Sequence, residues 1–488
     1  MSVKNKVQLI TYPDSLGGNL KTLDCLLQDK LNGVFEGGVH ILPPFPSSGD
    51  RGFAPLTYLE IDPDFGTWED IQAISRHTDI MLDIMVNHIS RQSVWFQDFL
   101  KKGRDSEYAD LFITLDKLWD DGKPKAEDLD KVFLRRTKPF STFTIEESGK
   151  QETVWTTFGR QDPSEQIDLD LNSDAAKQLL AGFLTHLSNM NVKYVRLDAV
   201  GYVIKKPGTS CFFVEPEIYD FLEWINTLAV PLGITLLPEV HSIYRYQYKL
   251  AEKGYWIYDF ILPFLILEVL ITRKSARLIE YLRTRPHNQF TMLDCHDGIP
   301  VKPDLDELVS TADARRIVNV CLKRGANLSL IFSDKYKSED GFDVHQIRCS
   351  YYSVLDCDDN AYITARAVQF FTPGIPQVYY VGLLAGENDT EKVKRSGEGR
   401  EINRHNFTMD EIEESLQKPV VKRLLRLIRF RNSHPAFEGD FSVKAVTDGF
   451  EMTWINVKSR CRLTVNLETG KSVITYTDDR EQWITYQI

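Results

Sequence analysis

The chain has 488 residues, of which 42% are hydrophobic and 26% are charged, and its formal net charge is -12. This length exceeds what one hydrophobic core ordinarily supports, unless that core is a barrel with inserted subdomains. The acidic balance disfavours nucleic acids and anionic membranes as partners, so any anionic ligand has to be bound by a local cluster of Arg, Lys or His.

The cysteines and the N-terminus indicate the compartment. The seven cysteines are scattered and form no CxxC pair, which favours a reducing environment and argues against a disulfide framework or a zinc site. The N-terminus, MSVKNKVQLITYPDS, shows no signal-peptide pattern. No apolar run is long enough to span a membrane. We therefore expect a cytoplasmic protein.

Short apolar runs alternate with longer amphipathic stretches, among them Ala175–Ser188 and Pro216–Thr227. Most of the runs are continuous rather than alternating in pattern, as in strands that are buried on both faces. The alternation predicts an α/β fold, a (β/α)₈ TIM barrel with parallel strands. The eight predicted strands are Val7–Tyr12, Val39–Leu42, Ile80–Val86, Val192–Leu197, Ile234–Leu237, Trp256–Leu262, Phe290–Leu293 and Gln377–Val381.

Two gaps between predicted strands are too long for simple connections. We predict one inserted subdomain at 89–166, after the third strand, and another at 299–359, after the seventh, which contains the charged segment SDKYKSEDGFDVHQ. The barrel then comprises 1–88, 167–298 and 360–435. Beyond a helix near Lys418–Asn432, a small all-β domain is predicted over 436–488. Its expected strands are Phe441–Val446, Glu451–Asn456, Arg462–Asn466 and Ser472–Tyr476.

Four predicted strands end in charged side chains, in the segments LDIMVNH, VRLDAVGY, LLPEVHS and MLDCHDG. The carboxyl ends of barrel strands meet at one mouth, so Asp198, Glu239 and Asp297 are predicted to converge. A single Asp after a strand is ordinarily a helix N-cap or a turn former. Several carboxylates in one pocket repel each other and are costly to bury, so the whole set indicates chemistry.

Retaining glycosyl transfer requires such a set of carboxylates. One attacks the anomeric carbon, and a carboxylic acid protonates the leaving oxygen and later acts as a base. A third steadies the positive charge that develops on the sugar ring. Arg196 lies two residues before Asp198, on the same side of the strand, and is expected to hold that carboxylate ionised and oriented.

The four segments resemble the signature regions of the α-amylase superfamily of glycoside hydrolases, DxxxNH, RxDA, ExH and HD in that order. Further segments resemble the sucrose phosphorylase group and extend the match over nearly the whole chain. They are KNKVQLITYPDSLG, GVHILPPFPSS, GTSCFF, LDCHDGI, ARAVQFFTPGIPQVYYVGLLAG and GREINRH. The resemblance implies a double displacement that forms α-D-glucose 1-phosphate from a sucrose-type donor and inorganic phosphate. It implies no cofactor and no metal.

The resemblance also assigns roles to residues. It makes Asp198 the nucleophile, Glu239 the acid/base and Asp297 the transition-state stabiliser. The positions that match glucosyl-binding residues are Asp50, Phe53, His88, Arg196, His296 and Arg400, with Asp50 and Arg400 expected to form a charged pair. The positions that match the acceptor and phosphate site are Arg135, Gln166, Tyr202, His241, Asp343, His345 and Gln346. Asn87, a possible remnant of an amylase calcium ligand, and His405 are expected to be structural.

The acceptor side indicates which donor is used. His345 stands where plain sucrose phosphorylases carry a Tyr, and His345 and Arg135 match the pattern of sucrose 6-phosphate phosphorylases. A sugar phosphate carries close to two negative charges, which Arg and His can bind. Arg136 and Lys138 give weaker support. Alternatively, the segment FLRRTKPF is a solvated basic loop, or Arg135 binds only inorganic phosphate.

Other functions remain open at this point. They are a plain sucrose phosphorylase, a purely hydrolytic α-glucosidase and a non-catalytic amylase-like interaction protein. The last usually carries a membrane helix and lacks the acidic triad. We expect a small sugar, or sugar phosphate, and inorganic phosphate as the only partners of a monomer or homodimer.

Overall fold

The computed structural model describes residues 3–478 and 480–487. The strands are β1 (Gln8–Thr11), β2 (Gly38–Ile41), β3 (Ile80–Met85), β4 (His88–Ser90), β5 (Phe140–Thr144), β6 (Gln151–Trp155), β7 (Gln166–Asp168), β8 (Val192–Asp198), β9 (Thr235–Pro238), β10 (Ile257–Asp259), β11 (Gln289–Thr291), β12 (Ile299–Pro300), β13 (Asn327–Leu330), β14 (Val344–Arg348), β15 (Ile375–Tyr379), β16 (Asp440–Val446), β17 (Gly449–Asn456), β18 (Ser459–Asn466), β19 (Lys471–Thr477) and β20 (Trp483–Tyr486).

The α-helices alternate with these strands. They are α1 (Leu20–Gln28), α2 (Trp68–Ser75), α3 (Val94–Lys102), α4 (Ala126–Leu129), α5 (Asp174–Asn189), α6 (Glu217–Ala229), α7 (Tyr244–Glu252), α8 (Leu262–Thr272), α9 (Ala276–Thr284), α10 (Thr311–Lys323), α11 (Tyr351–Val354), α12 (Asp359–Phe371), α13 (Tyr380–Leu383), α14 (Thr390–Ser396), α15 (Met409–Gln417) and α16 (Pro419–Ser433).

An eight-stranded sheet has the order β10-β11-β15-β1-β2-β3-β8-β9. The strands follow one another in chain order around the sheet, and the first strand, β1, pairs in parallel with the last, β15. The two ends of this order, β9 and β10, are consecutive strands in the chain, so the sheet forms a nearly closed barrel of eight strands, as in the (β/α)₈ fold. The predicted fold class is therefore confirmed, including the separate all-β sheet at the C-terminus.

The chain divides into two compact units. The first comprises Ile41–Val240 and Ile331–Gly341. In it β3, β8 and β9 run parallel, with Asp83 opposite Arg196 and Arg196 opposite Leu237. All six residues of β3 are buried, which explains its continuous apolar pattern. The helices α5 and α6 bury one apolar side each, and Ser173 caps α5 by accepting from the N–H of Ala176.

The segment between β3 and β8 contains two small antiparallel pairs, β4 with β7 and β5 with β6. A cluster of buried apolar residues lies within and beside it: Ile113, Trp119, Val132, Trp155 and Cys211. These residues belong to no barrel strand, so the cluster forms a small core apart from the barrel sheet.

The second unit comprises the described residues up to His40, then His241–Leu330, and those from Phe342 onward. In it β10 and β11, β11 and β15, and β15 and β1 are parallel pairs. A three-stranded antiparallel sheet, β12-β14-β13, lies between β11 and β15 in the chain.

Two predicted strands were extended into the helix that follows them. The predicted strand Trp256–Leu262 ends at Asp259, whose Oδ1 accepts from the N–H groups of Ile261 and Leu262 and starts α8. The predicted strand Gln377–Val381 is β15, which begins two residues earlier, at Ile375, and ends at Tyr379, where α13 starts. In both places the apolar run continues into a buried helix, so hydrophobicity alone does not mark the end of the strand.

The C-terminal sheet has the order β16-β17-β18-β19-β20, and all its pairs are antiparallel. The four predicted strands correspond to β16–β19, and β20 was missed. Its residues Trp483 and Ile484 are 44% and 40% exposed, and so the segment lacks the alternation of a half-buried strand. None of the helices within residues 3–478 and 480–487 is long and apolar enough to cross a membrane.

Candidate active site

Three neighbouring strands of the first unit carry charged side chains at or near their carboxyl ends. Asp198 is the last residue of β8, and Glu239 directly follows β9. The backbone N–H of Glu239 donates to the carbonyl of Leu197 at 3.1 Å. The register places Asp83 of β3 beside Arg196 of β8. Since these strands are parallel, their carboxyl ends bring the side chains together.

Arg196 connects three carboxylates of this unit. Its Nη1 lies 2.6 Å from Asp83 Oδ1 and 2.7 Å from Asp198 Oδ1, and its Nη2 lies 3.7 Å from Glu239 Oε1. The Arg196 side chain is 4% exposed and Asp83 is fully buried. One rigid guanidinium group thus fixes the positions of both Asp198 and Glu239, as the sequence had led us to expect for Asp198.

The protonation of Asp198 reflects its burial. Burial raises the pKa of Asp198 to about 7, with Arg196 opposing this rise and the charges of Glu239 and Asp83 adding to it. Two neighbouring carboxyl groups that repel each other retain one proton near neutral pH. One ionised and one protonated carboxyl group is the combination that a nucleophile and a general acid need.

The backbone after Asp198 contacts Glu239. Ala199 has a left-handed conformation, with φ 54° and ψ 25°, which is uncommon for a residue with a Cβ atom. Its N–H donates to Glu239 Oε2 at 3.2 Å. The turn after the strand therefore gives Glu239 a fixed hydrogen-bond donor in addition to Arg196.

Phe53, His88 and Gln166, three residues expected at the sugar, are in mutual contact. The carbonyl oxygen of Phe53 accepts from His88 Nε2 at 2.9 Å and from Gln166 Nε2 at 3.2 Å. The Arg196 guanidinium lies 5.9 Å from the centroid of the Phe53 ring. Burial lowers the pKa of His88, so His88 is neutral and its Nε2 carries the hydrogen.

Asp50 lies in a strained turn. Asp50, Arg51 and Gly52 all have positive φ, at 47°, 51° and 104°. A Cβ at Gly52 would lie 2.7 Å from the carbonyl oxygen of Pro43, so this position requires glycine. Strain of this kind concentrates at ligand-binding sites, which agrees with the expected role of Asp50.

Lys205 is a buried cation near the site that the sequence did not reveal. Its ammonium lies 2.8 Å from Asp168 Oδ2 and donates to Asn87 Oδ1 at 2.7 Å and to the carbonyl of Tyr202. Lys205 and Asp168 are almost completely buried. Asn87, expected to be structural, thus binds an internal cation. A lysine in the run VGYVIKK gives no sign of this, because adjacent lysines usually lie at the surface.

Phe158, which the sequence also did not reveal, contacts several expected site residues. Its ring centroid lies 4.9 Å from that of Tyr202 and 5.3 Å from that of His88. The Arg135 guanidinium lies 5.9 Å from the same centroid. Arg135 and Tyr202, both expected at the acceptor, are therefore placed around one aromatic ring.

Arg136, from which the sequence drew weaker support, is hydrogen-bonded within the inserted segment. Its Nη1 donates to Ser141 Oγ at 3.0 Å and to Thr156 Oγ1 at 2.9 Å, and its Nη2 donates to the carbonyl of Gln161 at 2.6 Å. Arg136 is 7% exposed, and burial lowers its pKa. It holds the inserted segment together. Lys138 forms an ion pair with Asp162.

Asp297 of the second unit is surrounded by cationic groups. Arg400 Nε lies 3.5 Å from Asp297 Oδ1, and His296 Nε2 lies 3.7 Å from Asp297 Oδ2. Burial raises the pKa of Asp297, but the charges of Arg400, His296 and His241 outweigh it and hold the pKa well below its usual range. Asp297 is therefore ionised at neutral pH. Whether Arg400 also pairs with Asp50 stays a prediction.

His345 and His241 lie near each other in the second unit, with ring centroids 6.3 Å apart. His345 Nδ1 lies 2.7 Å from the carbonyl of Lys302, and since a carbonyl only accepts, Nδ1 carries a hydrogen. The ring of His241 stacks on Phe260 at 4.0 Å, and its Nδ1 lies 3.8 Å from Asp304 Oδ1. Both imidazoles are held in fixed orientations.

The expected acceptor loop is partly a strand. His345 and Gln346 belong to β14, which pairs with β12 and β13, and both are almost buried. Asp343, directly before the strand, is partly exposed. The charged run SDKYKSEDGFDVHQ indicated a loop, and this was wrong from Val344 onward, where β14 begins. His345 is therefore carried by a hydrogen-bonded strand.

His405 lies between two carboxylates. Its Nδ1 is 2.8 Å from Asp389 Oδ2 and its Nε2 is 3.1 Å from Glu411 Oε1. Asp389 caps α14 and Glu411 belongs to the capping box of α15. His405 therefore links the starts of two helices, which fits the structural role expected for it.

Comparison with known proteins identifies the family. Residues 30–250 match the family model of the α-amylase catalytic domain. Over 489 aligned residues the chain is 64% identical to the sucrose 6(F)-phosphate phosphorylase of Thermoanaerobacterium thermosaccharolyticum, and the alignment covers 100% of both chains. The chain belongs to the sucrose phosphorylase group of the α-amylase family.

Two further matches agree with this family. A crystal structure of sucrose 6F-phosphate phosphorylase from Thermoanaerobacter thermosaccharolyticum superposes with a TM-score of 0.98, at 64% identity, and the match covers 100% of this chain and 99% of that chain. The sucrose phosphorylase of Streptococcus mutans is 41% identical over 447 residues, covering 92% of this chain and 91% of that protein. The recognised family and enzyme class are thereby confirmed.

Proposed function

We propose that this phosphorylase converts sucrose 6′-phosphate and inorganic phosphate into α-D-glucose 1-phosphate and fructose 6-phosphate. The observation that carries the proposed chemistry is the contact of one guanidinium group, Arg196, with both Asp198 and Glu239, at 2.7 and 3.7 Å. Two carboxyl groups held by one Arg are close enough for the short separation that retaining enzymes need, about 5–5.5 Å. The 64% identity to a sucrose 6(F)-phosphate phosphorylase supports the choice of donor.

In the first displacement, an ionised oxygen of Asp198 attacks the anomeric carbon of the glucosyl unit. Glu239 gives its proton to the leaving fructosyl oxygen, and the bond between that oxygen and the anomeric carbon breaks. The product is a β-glucosyl ester of Asp198 and free fructose 6-phosphate. Arg196 and the N–H of Ala199 keep Asp198 and Glu239 in position.

In the second displacement, a phosphate oxygen attacks the same carbon from the opposite side. Glu239, now ionised, accepts a proton from the attacking phosphate, and the ester bond to Asp198 breaks. Two inversions restore the α configuration. Both half-reactions are substitutions without oxidation or reduction, and the two substrates and the two carboxyl groups account for every bond and proton in them.

Asp297 is proposed to stabilise the positive charge on the sugar ring in both transition states. Its surroundings keep it ionised, as this role requires. The glucosyl unit itself is proposed to be bound by Asp50, Phe53, His88, Arg196, His296 and Arg400. The network of Phe53, His88 and Gln166 supports a rigid ring-binding surface in the first unit.

The fructosyl phosphate is proposed to be bound by Arg135 and His345, with Gln166, Tyr202, His241, Asp343 and Gln346 around the acceptor. His345 has Nδ1 bonded to a carbonyl, so any hydrogen bond to phosphate must come from Nε2–H. A plain sucrose phosphorylase is the second candidate, supported by the 41% identity to the enzyme of Streptococcus mutans. In that case Arg135 binds only inorganic phosphate.

The deciding experiment measures glucose 1-phosphate formation with phosphate and either sucrose 6′-phosphate or sucrose as the donor. We expect a higher kcat/KM for the phosphorylated donor and the α anomer as the first product detected by NMR. A ratio at or below one would favour the plain sucrose phosphorylase. Turnover that does not depend on phosphate would instead favour a hydrolase.

The place of action is proposed to be the cytoplasm. All seven cysteines are free thiols, which fits a reducing compartment. The proposed partners are the sugar substrates and inorganic phosphate alone, with the chain acting as a monomer or homodimer.

A further inference from the structure

The segment Gly399–His405, here called the positioning arm, holds the backbone that leads into Asp297. Asn403 Nδ2 donates to the carbonyl of Cys295 at 3.1 Å, and Arg404 Nε donates to the carbonyl of His296 at 3.0 Å. Consecutive side chains of the arm thus bind the two consecutive carbonyl groups that precede Asp297. The orientation of the Asp297 carboxyl group depends on these two peptides.

Arg404 is itself firmly held. It is 2% exposed, its Nη1 lies 3.6 Å from Glu401 Oε1, and its guanidinium lies 5.7 Å from the centroid of the Tyr12 ring. Lys392 forms an ion pair with Glu401 at 3.0 Å and donates to the carbonyl of Arg404. A buried guanidinium that several partners hold in place can in turn fix the peptide to which it is hydrogen-bonded.

Arg404 also contributes charge. Burial raises the pKa of Asp297, and Arg404 acts with Arg400, His296 and His241 to lower it. Arg400 lowers this pKa through its ion pair with the carboxylate, whereas Arg404 is hydrogen-bonded to the carbonyl of the preceding residue, His296. The two arginines of the arm therefore act on Asp297 in different ways.

We propose that Arg404 is a positioning residue, which fixes the His296–Asp297 peptide and so keeps the Asp297 carboxylate aimed at the charge developing on the sugar ring. This inference rests on the proposed role of Asp297 as stabiliser. Arg404 touches no reacting atom in this scheme, and its effect passes through the peptide that joins His296 to Asp297.

The test compares Arg404→Lys, Arg404→Gln and Asn403→Ala with the control Arg395→Gln, which changes an exposed arginine on α14. Two readouts are needed. The first is the separate effect on kcat and on the donor KM. The second is the ratio of dissociation constants for neutral glucose and for 1-deoxynojirimycin, a protonated iminosugar that mimics the charged ring.

For Arg404→Gln we expect kcat and the affinity for the iminosugar to fall at least about ten-fold, the effect of losing one charged hydrogen bond. The donor KM and the affinity for glucose should change less than about three-fold. Arg404→Lys should recover part of the loss, and Asn403→Ala should show the same pattern more weakly. A folding defect would reduce the number of binding sites without changing the ratio of the two affinities.

The variant Asp297→Asn separates the two proposals. If it keeps the preference for the iminosugar, the stabiliser role of Asp297 is wrong. If it loses that preference while Arg404→Gln and Asn403→Ala keep it and retain kcat within about two-fold, the role of Arg404 is wrong.

Discussion

Lys205 and Asp168 form an ion pair with Nζ and Oδ2 2.8 Å apart, between side chains that are 2% and 0% exposed. The same ammonium binds Asn87, the neighbour of His88, and the carbonyl of Tyr202. Tyr202 follows the nucleophile by four residues. One buried ammonium group therefore binds both the turn that follows β8 and the residue after the end of β3, next to His88, which is expected to bind the sugar.

Replacing Lys205 by Met should lower the free energy of unfolding by about 3–5 kcal/mol, because Asp168 is left as a buried charge without its cation. Urea unfolding followed by circular dichroism measures this loss. The matched control is Lys206→Met, since Lys206 pairs with Glu217 at the surface, and its unfolding midpoint should hardly move. Equal midpoints for the two variants would show that Lys205 does not organise the fold.

The carboxyl pair predicts how activity depends on pH. The pKa of Asp198 is raised to about 7, mainly by burial, so the Asp198–Glu239 pair holds a proton below about pH 7 and loses it above. Because Glu239 must donate that proton to the fructosyl oxygen, kcat/KM for the natural donor should decline above about pH 7. The profile is measured from about pH 5 to about pH 9.

The control donor for this profile is α-glucosyl fluoride, whose leaving group needs no proton. Its kcat/KM should stay flat where that of the natural donor declines. A decline that is equal for both donors would assign the titrating group to another role.

The nucleophile should be dispensable for folding but not for activity. Asp198→Asn cannot form the covalent intermediate and should be inactive with every donor, whereas Glu239→Gln should recover partly with the fluoride. Protonation also affects stability. A carboxyl group whose pKa is raised by folding favours the folded state fully when the pH lies below its pKa in the unfolded chain, near 4. This contribution is lost as the pH rises to the pKa in the folded state, about 7.

The cost of burying the Asp198 charge can be measured by comparing the stability of the wild type and a variant at two pH values. Removing the charge with Asp198→Asn should raise the stability relative to the wild type at about pH 8, by at most about 4 kcal/mol, and by much less at about pH 4. Melting temperatures at both pH values test this. A variant that is less stable than the wild type at the higher pH would mean that the ion pair with Arg196 outweighs the cost of burial.

The barrel and the convergence of Asp198 and Glu239 on Arg196 could be predicted because buried parallel strands give continuous apolar runs, and because a charged residue at the end of such a run is conspicuous. The residues at which these strands end could not be predicted from hydrophobicity. Asp259, for example, caps a helix that is as apolar as the strand before it. Lys205 and Arg136 were missed as buried residues for another reason. Their partners are oxygen atoms that only the folded chain brings near them.

His345 is the residue on which the donor preference most depends. Its Nδ1 is held by the carbonyl of Lys302 at 2.7 Å, so neutral His345 has a lone pair at Nε2 and cannot donate there. A hydrogen bond from Nε2 to the phosphate therefore requires the imidazolium form. Lowering the pH from about 8 to about 6 should favour the phosphorylated donor, although protonation of the phosphate near pH 6 opposes this.

His345→Tyr should reduce the ratio of kcat/KM for sucrose 6′-phosphate to that for sucrose by about one to two decades, since one charged hydrogen bond contributes roughly 1.5–3 kcal/mol and a decade corresponds to about 1.4 kcal/mol. Turnover of sucrose should change little, because sucrose carries no phosphate group for the imidazole to bind. Arg135→Ala should impair both donors if Arg135 also binds inorganic phosphate. The control is Lys138→Gln, which removes an exposed charge already paired with Asp162 and should leave the ratio within about three-fold. An unchanged ratio in His345→Tyr would mean that the phosphate is bound elsewhere and that the fixed imidazole serves only to support β14.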